Sequence, residues 1–227
     1  READEVFYIH AGPEIAVATT KAYLAMLMSF YILGIHFGRA KGLLSDERSR
    51  ELISALKQLP DQTEQLINDC EAGMQELGAE ISDREHVFFI GRHMDYGISL
   101  EGALKLKEIS YIHAEAYPAG ELKHGTLALI EEGVPVVALA TQDSVLEKTL
   151  SNVKEVKARG GSIISVTQAG DAPLEDIDHR IEIPATDELL TGLLSVVPLQ
   201  LLAYYAAVEK GCDVDQPRNL AKSVTVE

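Results

Sequence analysis

From Asp83 onward the chain alternates short, nearly uninterrupted apolar runs with helical stretches, and this rhythm restricts the fold more than any other feature of the 227 residues. The runs are His86 to Ile90 (HVFFI), Val134 to Ala140 (VPVVALA), Ser162 to Thr167 (SIISVT) and Arg180 to Ile183. A strand that is apolar at consecutive positions has no face to give to water, so it belongs in a sheet covered on both sides, and the intervening helices supply the crossovers of a parallel sheet. The class predicted is α/β, doubly wound. In such sheets ligands lie beyond the carboxyl ends of the strands, where the strand order reverses, which points to Gly91, Arg92 and the helix that follows.

Upstream, Glu5 to Ile9 (EVFYI) reads as a short strand ending in the turn His10-Ala11-Gly12-Pro13, and a long apolar helix starts near the cap residues Thr19 and Thr20. From Ser45 to about Glu80 the pattern is polar and helical, broken at Pro60, as suits a helical connector between two lobes. The apolar stretches Ala22 to Phe37 and Leu189 to Val208 approach membrane length. The first is short and the second carries Thr191, Ser195, Pro198 and Gln200, so both are expected as buried core helices and no membrane partner is expected. With 46% hydrophobic and 25% charged residues the chain can bury a core, while 36 acidic against 20 basic side chains, net −16, would repel a phosphate backbone. The basic cluster Lys154, Lys157 and Arg159 is interleaved with Glu155 and reads as a solvated helix face, so nucleic acid is not an expected partner. Cys70 and Cys212 have neither zinc-ligand nor disulfide spacing, so no metal is signalled, and the expected setting is the reducing cytoplasm. The chain opens at Arg1 with no secretory leader, which suggests a portion of something longer.

Three places could carry chemistry. In EGALKLKE the spacings of four and three put Glu101, Lys105 and Glu108 on one helix face, a pattern shared by surface ion-pair ladders and by acid–base sites. The stretch after it, Tyr111 to Tyr117 and then Gly120 to Gly125, mixes polar, small and glycine residues in the manner of a site-lining loop, with His124 able to exchange protons near neutrality or to stand idle in solvent. The terminal DVDQPRNLAKSVTVE is too apolar for a frayed tail and is expected to dock, which would set Lys222 among apolar neighbours and suit its amine to Schiff-base chemistry; an exposed tail lysine is the plainer alternative.

Leu100 to Tyr117 (LEGALKLKEISYIHAEAY), Ala119 to Gly125 (AGELKHG), Asp215 to Glu227 (DQPRNLAKSVTVE) and Ala11 to Ala22 (AGPEIAVATTKA) together closely resemble the isomerase half of the glucosamine-6-phosphate synthase family, and the similarity runs over essentially the whole chain. That half is built of two SIS (sugar isomerase) domains, each a five-stranded parallel sheet in a three-layer α/β/α arrangement. The resemblance implies the end of a first SIS domain over 1–44, a helical connector over 45–82, a second SIS domain over 83–212 and an active-site tail over 213–227. It places the glutaminase domain, and the Ser/Thr-rich loop that grips the sugar phosphate, outside these residues. Neither cysteine can replace the glutaminase nucleophile.

The implied reaction converts fructose 6-phosphate and glutamine-derived ammonia to glucosamine 6-phosphate. By resemblance, Glu108 moves a proton between C1 and C2, Lys222 forms the Schiff base, His124 assists ring opening across a homodimer, and Lys105 helps proton transfer at the sugar oxygens. Val17, Thr19 (serine in some relatives), Ala221 and Glu101 would line the substrate. No metal, nucleotide or redox cofactor is implied, and the sequence holds no GxGxxG, P-loop or HExxH motif. Two other readings share the fold: a fructosamine-6-phosphate deglycase-like enzyme, against which the matching tail argues, and a non-catalytic phosphosugar-binding module, which predicts loss of Glu108 or Lys222, both present.

Overall fold

A computed structural model of the chain describes residues 2–171 and 175–223. The elements are α1 (Lys21–Ala40), α2 (Asp46–Ser82), β1 (His86–Gly91), α3 (Met94–Ser110), β2 (His113–Pro118), β3 (Pro135–Leu139), α4 (Leu146–Lys157), β4 (Ser162–Gln168), β5 (His179–Ile183) and α5 (Thr191–Glu209). The five strands form one sheet in the order β2-β1-β3-β4-β5, and every pairing is parallel. After β2 the chain returns to the other side of β1, so the strand order reverses between β1 and β3.

Alternation along the strands supplies two apolar faces, as consecutive side chains on a pleated strand must point opposite ways. Val87 and Phe89 join Val137, Leu139, Ile164 and Val166 against helices α2, α3 and α5. Phe88 and Ile90 join Val136, Ala138 and Ile163 against Val153 and Val156 of α4. The result is a three-layer α/β/α fold, as the run of doubly apolar strands predicts. β2 escapes the apolar pattern because it is an edge strand bonded on one side to β1 alone, so His113, Glu115 and Tyr117 keep access to water there. The region read as a loop from Tyr111 to Tyr117 is therefore mostly strand.

Three local expectations are corrected. Glu5 to Ile9 forms no strand: it is exposed and has no neighbouring strand among the described residues, and without a ladder β propensity alone does not make a strand. Pro60 does not break the polar helix; α2 is continuous over 37 residues. The missing N–H of Pro60 is tolerated because Leu52, Leu56 and Leu59 before it, and Leu66, Met74, Leu77 and Ile81 after it, belong to one buried core that includes α5. The run Ala22 to Phe37 is helical, but α1 is not a core helix: Ser29 and Ile35 are its buried residues, whereas Phe30 and Phe37 are exposed. Its apolar residues surround the helix while only part of that circumference meets the rest of the protein. The second apolar run behaves as expected, and α5 is buried through most of its length.

Candidate functional site

The site is built outward from α3, which leaves the carboxyl end of β1. Gly91 makes that junction possible, since a Cβ there would lie 2.5 Å from the backbone carbon of Asp95 in the first turn of α3. Further along, Gly102 lets α3 approach α5, where a Cβ would meet Leu199 at 2.6 Å. The helix held this way presents Glu101, Lys105 and Glu108 on one side.

Lys105 Nζ donates to Glu108 Oε2 at 2.6 Å and stands 3.5 Å from Glu101 Oε1. Burial excludes a solvent-exposed ladder for this spacing. The Lys105 side chain is only 4% exposed, and an ammonium removed from water to that degree requires anionic partners, unlike the rungs of a surface ladder. Burial raises the Glu101 carboxyl above its usual range, and the charge of Glu108 adds to that, against the pull of Lys105. From α1, Tyr23 enters the same electrostatic neighbourhood: burial first, then the Glu101 charge and Tyr31, push its hydroxyl up to about 12. Sequence reasoning missed Tyr23, for which apolar periodicity carries no signal.

Lys105 also forms part of the wall of a cavity of about 180 Å³ shared with Ala16, Ala18, Ile109, Tyr204 and Asp215. Two segments far apart in sequence meet there. The Val17 N–H donates to the Asp215 carbonyl at 2.9 Å, which ties the stretch before α1 to the tail. Tyr111, in left-handed conformation at the end of α3, accepts the Arg218 N–H at its hydroxyl at 2.8 Å and carries the Arg218 guanidinium 4.2 Å over its ring. Pro217 between them is buried. The tail thus docks through Arg218, while Leu220 is exposed and Val224 and Val226 lie outside the described residues.

Lys222 Nζ donates to Thr19 Oγ1 at 3.0 Å and to the Val17 carbonyl at 3.3 Å, and it lies 3.8 Å from Glu14 Oε2. These are polar neighbours, which corrects the expectation of apolar ones: docking is carried by Pro217 and Arg218, so the tail beyond them meets the backbone and hydroxyl groups of the opposite strap. Val17, Thr19 and Lys222 are brought together, with Ala221 exposed beside them. Glu14, which sequence reasoning also missed, anchors the strap: its Oε1 accepts from the Thr20 N–H at 2.7 Å and from Thr20 Oγ1 at 3.0 Å.

His124 stays apart. It ends the 3₁₀ segment Ala119–His124 after β2, its side chain is 76% exposed, and the carboxylate it approaches is that of Glu121, at 3.9 Å. The positional candidate Arg92 donates to Asn152 Oδ1 at 2.8 Å, which commits it to α4. Behind it, Asp95 accepts from the Thr141 N–H at 2.8 Å and from Thr141 Oγ1 at 2.6 Å. Burial pushes the Asp95 carboxyl up to about 6, against those hydrogen bonds. At the switch point Arg92 and Asp95 are thus tied to Asn152 and Thr141, and the Glu101, Lys105 and Glu108 row sits farther along α3.

Burial pushes the Cys70 thiol up to about 11, so it is a poor nucleophile at neutral pH. Among the described residues no group of three or more His, Cys, Asp or Glu side chains is placed to hold a metal ion. The arrangement offers instead a carboxylate–ammonium–carboxylate row suited to moving protons and, on the tail docked against the strap before α1, an amine within reach of a hydroxyl and a carboxylate.

The parallel five-stranded sheet with helices on both faces is of the doubly wound α/β class, and the SIS domain family matches residues 80–210, across that sheet; the chain belongs to this family. Its sequence is 59% identical to the glutamine–fructose-6-phosphate aminotransferase [isomerizing] of Caldanaerobacter subterraneus subsp. tengcongensis, covering 100% of this chain and 37% of that protein. It is 52% identical to the Thermus thermophilus protein of the same name, covering 100% of this chain and 38% of that one. Among solved structures it superposes on the C-terminal domain of glucosamine-fructose-6-phosphate aminotransferase from Francisella tularensis with a TM-score of 0.85 and 40% identity, over 90% of this chain and 58% of that one. The chain therefore spans little more than a third of the length of these curated relatives.

Proposed function

We propose that the chain is the isomerase portion of a glutamine–fructose-6-phosphate aminotransferase, which aminates fructose 6-phosphate and isomerises the product to glucosamine 6-phosphate. The observation that carries this reading is the convergence of the tail lysine on Val17 and Thr19, in the strap whose Ala16, Ala18 and Thr20 line the cavity walled by Lys105. The Lys222 amine attacks the C2 carbonyl of the open-chain ketose and releases water, giving an imine. Ammonia displaces the lysine to give the sugar imine. Glu108 then removes a proton from C1 and returns it to C2, while Lys105, hydrogen-bonded to Glu108, steadies the charge that moves to the sugar oxygens. Glu101, Val17, Thr19 and Ala221 line the substrate.

His124 acts in ring opening from the neighbouring subunit of a homodimer, a role that its exposure at the end of the 3₁₀ segment after β2 permits. Ammonia comes from a glutaminase domain elsewhere in the full-length protein, in the cytoplasm. The same reading divides the chain into the end of one SIS domain (1–44), a connector (45–82), a second SIS domain (83–212) and the tail (213–227).

The test is borohydride reduction of the full-length protein with fructose 6-phosphate, followed by peptide mass mapping. A hexose phosphate adduct on Lys222 is expected; an adduct on another lysine alone, or none, rejects the reading.

A further inference from the structure

Glu14 falls within the Ala11 to Ala22 string that carries the resemblance but is given no role there, and its two oxygens do different jobs. Oε1 is occupied locally, accepting from the Thr20 N–H and hydroxyl at the start of α1. Oε2 is shielded from water and accepts no hydrogen bond among the described residues. A carboxylate oxygen in that condition has lost its hydration without replacement, a state that is costly unless a cation lies close by. The cation at salt-bridge distance is Lys222, whose Nζ is 3.8 Å away, too far for a hydrogen bond. Glu14 Oε2 is thus left uncommitted, facing the amine of the tail.

We propose that Glu14 is a positioning residue for Lys222 and the counter-ion of the protonated imine that this amine forms with a sugar carbonyl. The inference rests on the amination reading above. In the step concerned, the lysine ammonium and the carbonyl give a protonated imine and water: a C=N bond replaces C=O, the carbonyl oxygen leaves with two ammonium protons, and the positive charge stays on nitrogen. An ammonium has three N–H donors, enough for the Val17 carbonyl, the Thr19 hydroxyl and a substrate. The protonated imine has one, so it cannot keep both bonds. A fixed carboxylate beside it keeps its attraction without needing a donor, because Coulomb attraction depends on distance and not on hydrogen-bond count. The carboxylate is ionised for this purpose: burial raises the Glu14 carboxyl, but the two Thr20 hydrogen bonds and the Lys222 charge together hold it below its ordinary range.

Glu14→Gln isolates the charge, since the amide oxygen can still accept from Thr20 while an NH₂ replaces Oε2. In the full-length protein, borohydride-trapped adduct on Lys222 is measured per bound fructose 6-phosphate, with occupancy obtained separately by calorimetry. Glu14→Gln is expected to lower that ratio about fivefold, in keeping with the loss of one partly exposed ion pair. Glu14→Asp is expected to keep more than half of the adduct, and Thr20→Val, which removes one of the two hydrogen bonds on Oε1 but no charge, to lower the ratio by clearly less than Glu14→Gln does. An unchanged ratio in Glu14→Gln overturns the proposal, as does an equal loss in Thr20→Val or Glu14→Asp, which would assign Glu14 a packing role only. An adduct absent from the wild type overturns the amination reading itself, so the two failures are told apart by the wild-type lane.

Discussion

Lys105 and Lys222 are both amines beside carboxylates, yet they are held by opposite means. Lys105 has its partners three and four residues away on the same helix, and its side chain is 4% exposed. Lys222 has partners 203 and 205 residues earlier in the chain, and its side chain is 42% exposed. The first pairing is dictated by helix geometry and made obligatory by burial; the second exists only if the tail, the strap before α1 and the end of α3 assemble. A rigid, paired lysine suits charge stabilisation, whereas an amine on a docked tail can form and release a covalent bond.

The widest separation between the two is expected in covalent chemistry. In the full-length protein Lys222→Arg should abolish the trapped sugar adduct, since a guanidinium keeps the charge but cannot form the imine; an adduct surviving elsewhere would move the Schiff base off the tail. Next in size, Glu108→Gln should slow solvent exchange of the C1 proton by about 10²–10⁴-fold, the usual worth of a positioned general base, while leaving the Lys222 adduct in place. Exchange at the wild-type rate would leave the α3 row without its assigned role.

Stability should separate the lysines in the opposite sense. Lys105→Met leaves two largely buried carboxylates without their cation and should cost about 3–5 kcal/mol in urea unfolding, whereas Lys222→Met should stay within about 0.5 kcal/mol. The Lys105→Met deficit should shrink as pH falls, because the Glu101 carboxyl, whose folded-state pKa is raised, holds its proton better when folded. Equal losses for the two variants would erase the contrast.

Asp95 sharpens the comparison, as a buried carboxyl held by hydroxyl and amide donors with no amine. Its pKa is raised from 3.8 to about 6, so its contribution is fully present below pH 3.8 and is lost as pH rises through about 6, a decline of about 3 kcal/mol. Asp95→Asn should flatten that decline in melting temperatures taken between pH 4 and 7. A profile identical to the wild type would show that Asp95 is not its source.

The layered sheet was legible from β1, β3, β4 and β5 because a strand buried on both faces has to be apolar at consecutive positions. β2 was not, since an edge strand bonded on one side tolerates His113 and Glu115. The row Glu101, Lys105 and Glu108 was legible as one helix face, but the spacing is the same for a surface ladder, and only the packing of α3 showed that Lys105 is buried. Glu5 to Ile9 and Pro60 misled for one shared reason: local propensity yields to whatever long-range pairing or packing is present.

What the sequence by itself determined is the periodic part: a covered parallel sheet, the helices between its strands, and charges spaced to share a face. These follow from repeats of two and of about 3.6 residues, which are properties of adjacent residues. The tertiary structure alone decided that Lys222 meets Val17 and Thr19, that Glu14 turns an uncommitted oxygen toward it, that the Glu101 charge is felt at Tyr23 and that His124 stands apart. Those relations join residues tens to hundreds of positions apart, and no local pattern encodes a contact whose formation depends on where the intervening chain has folded.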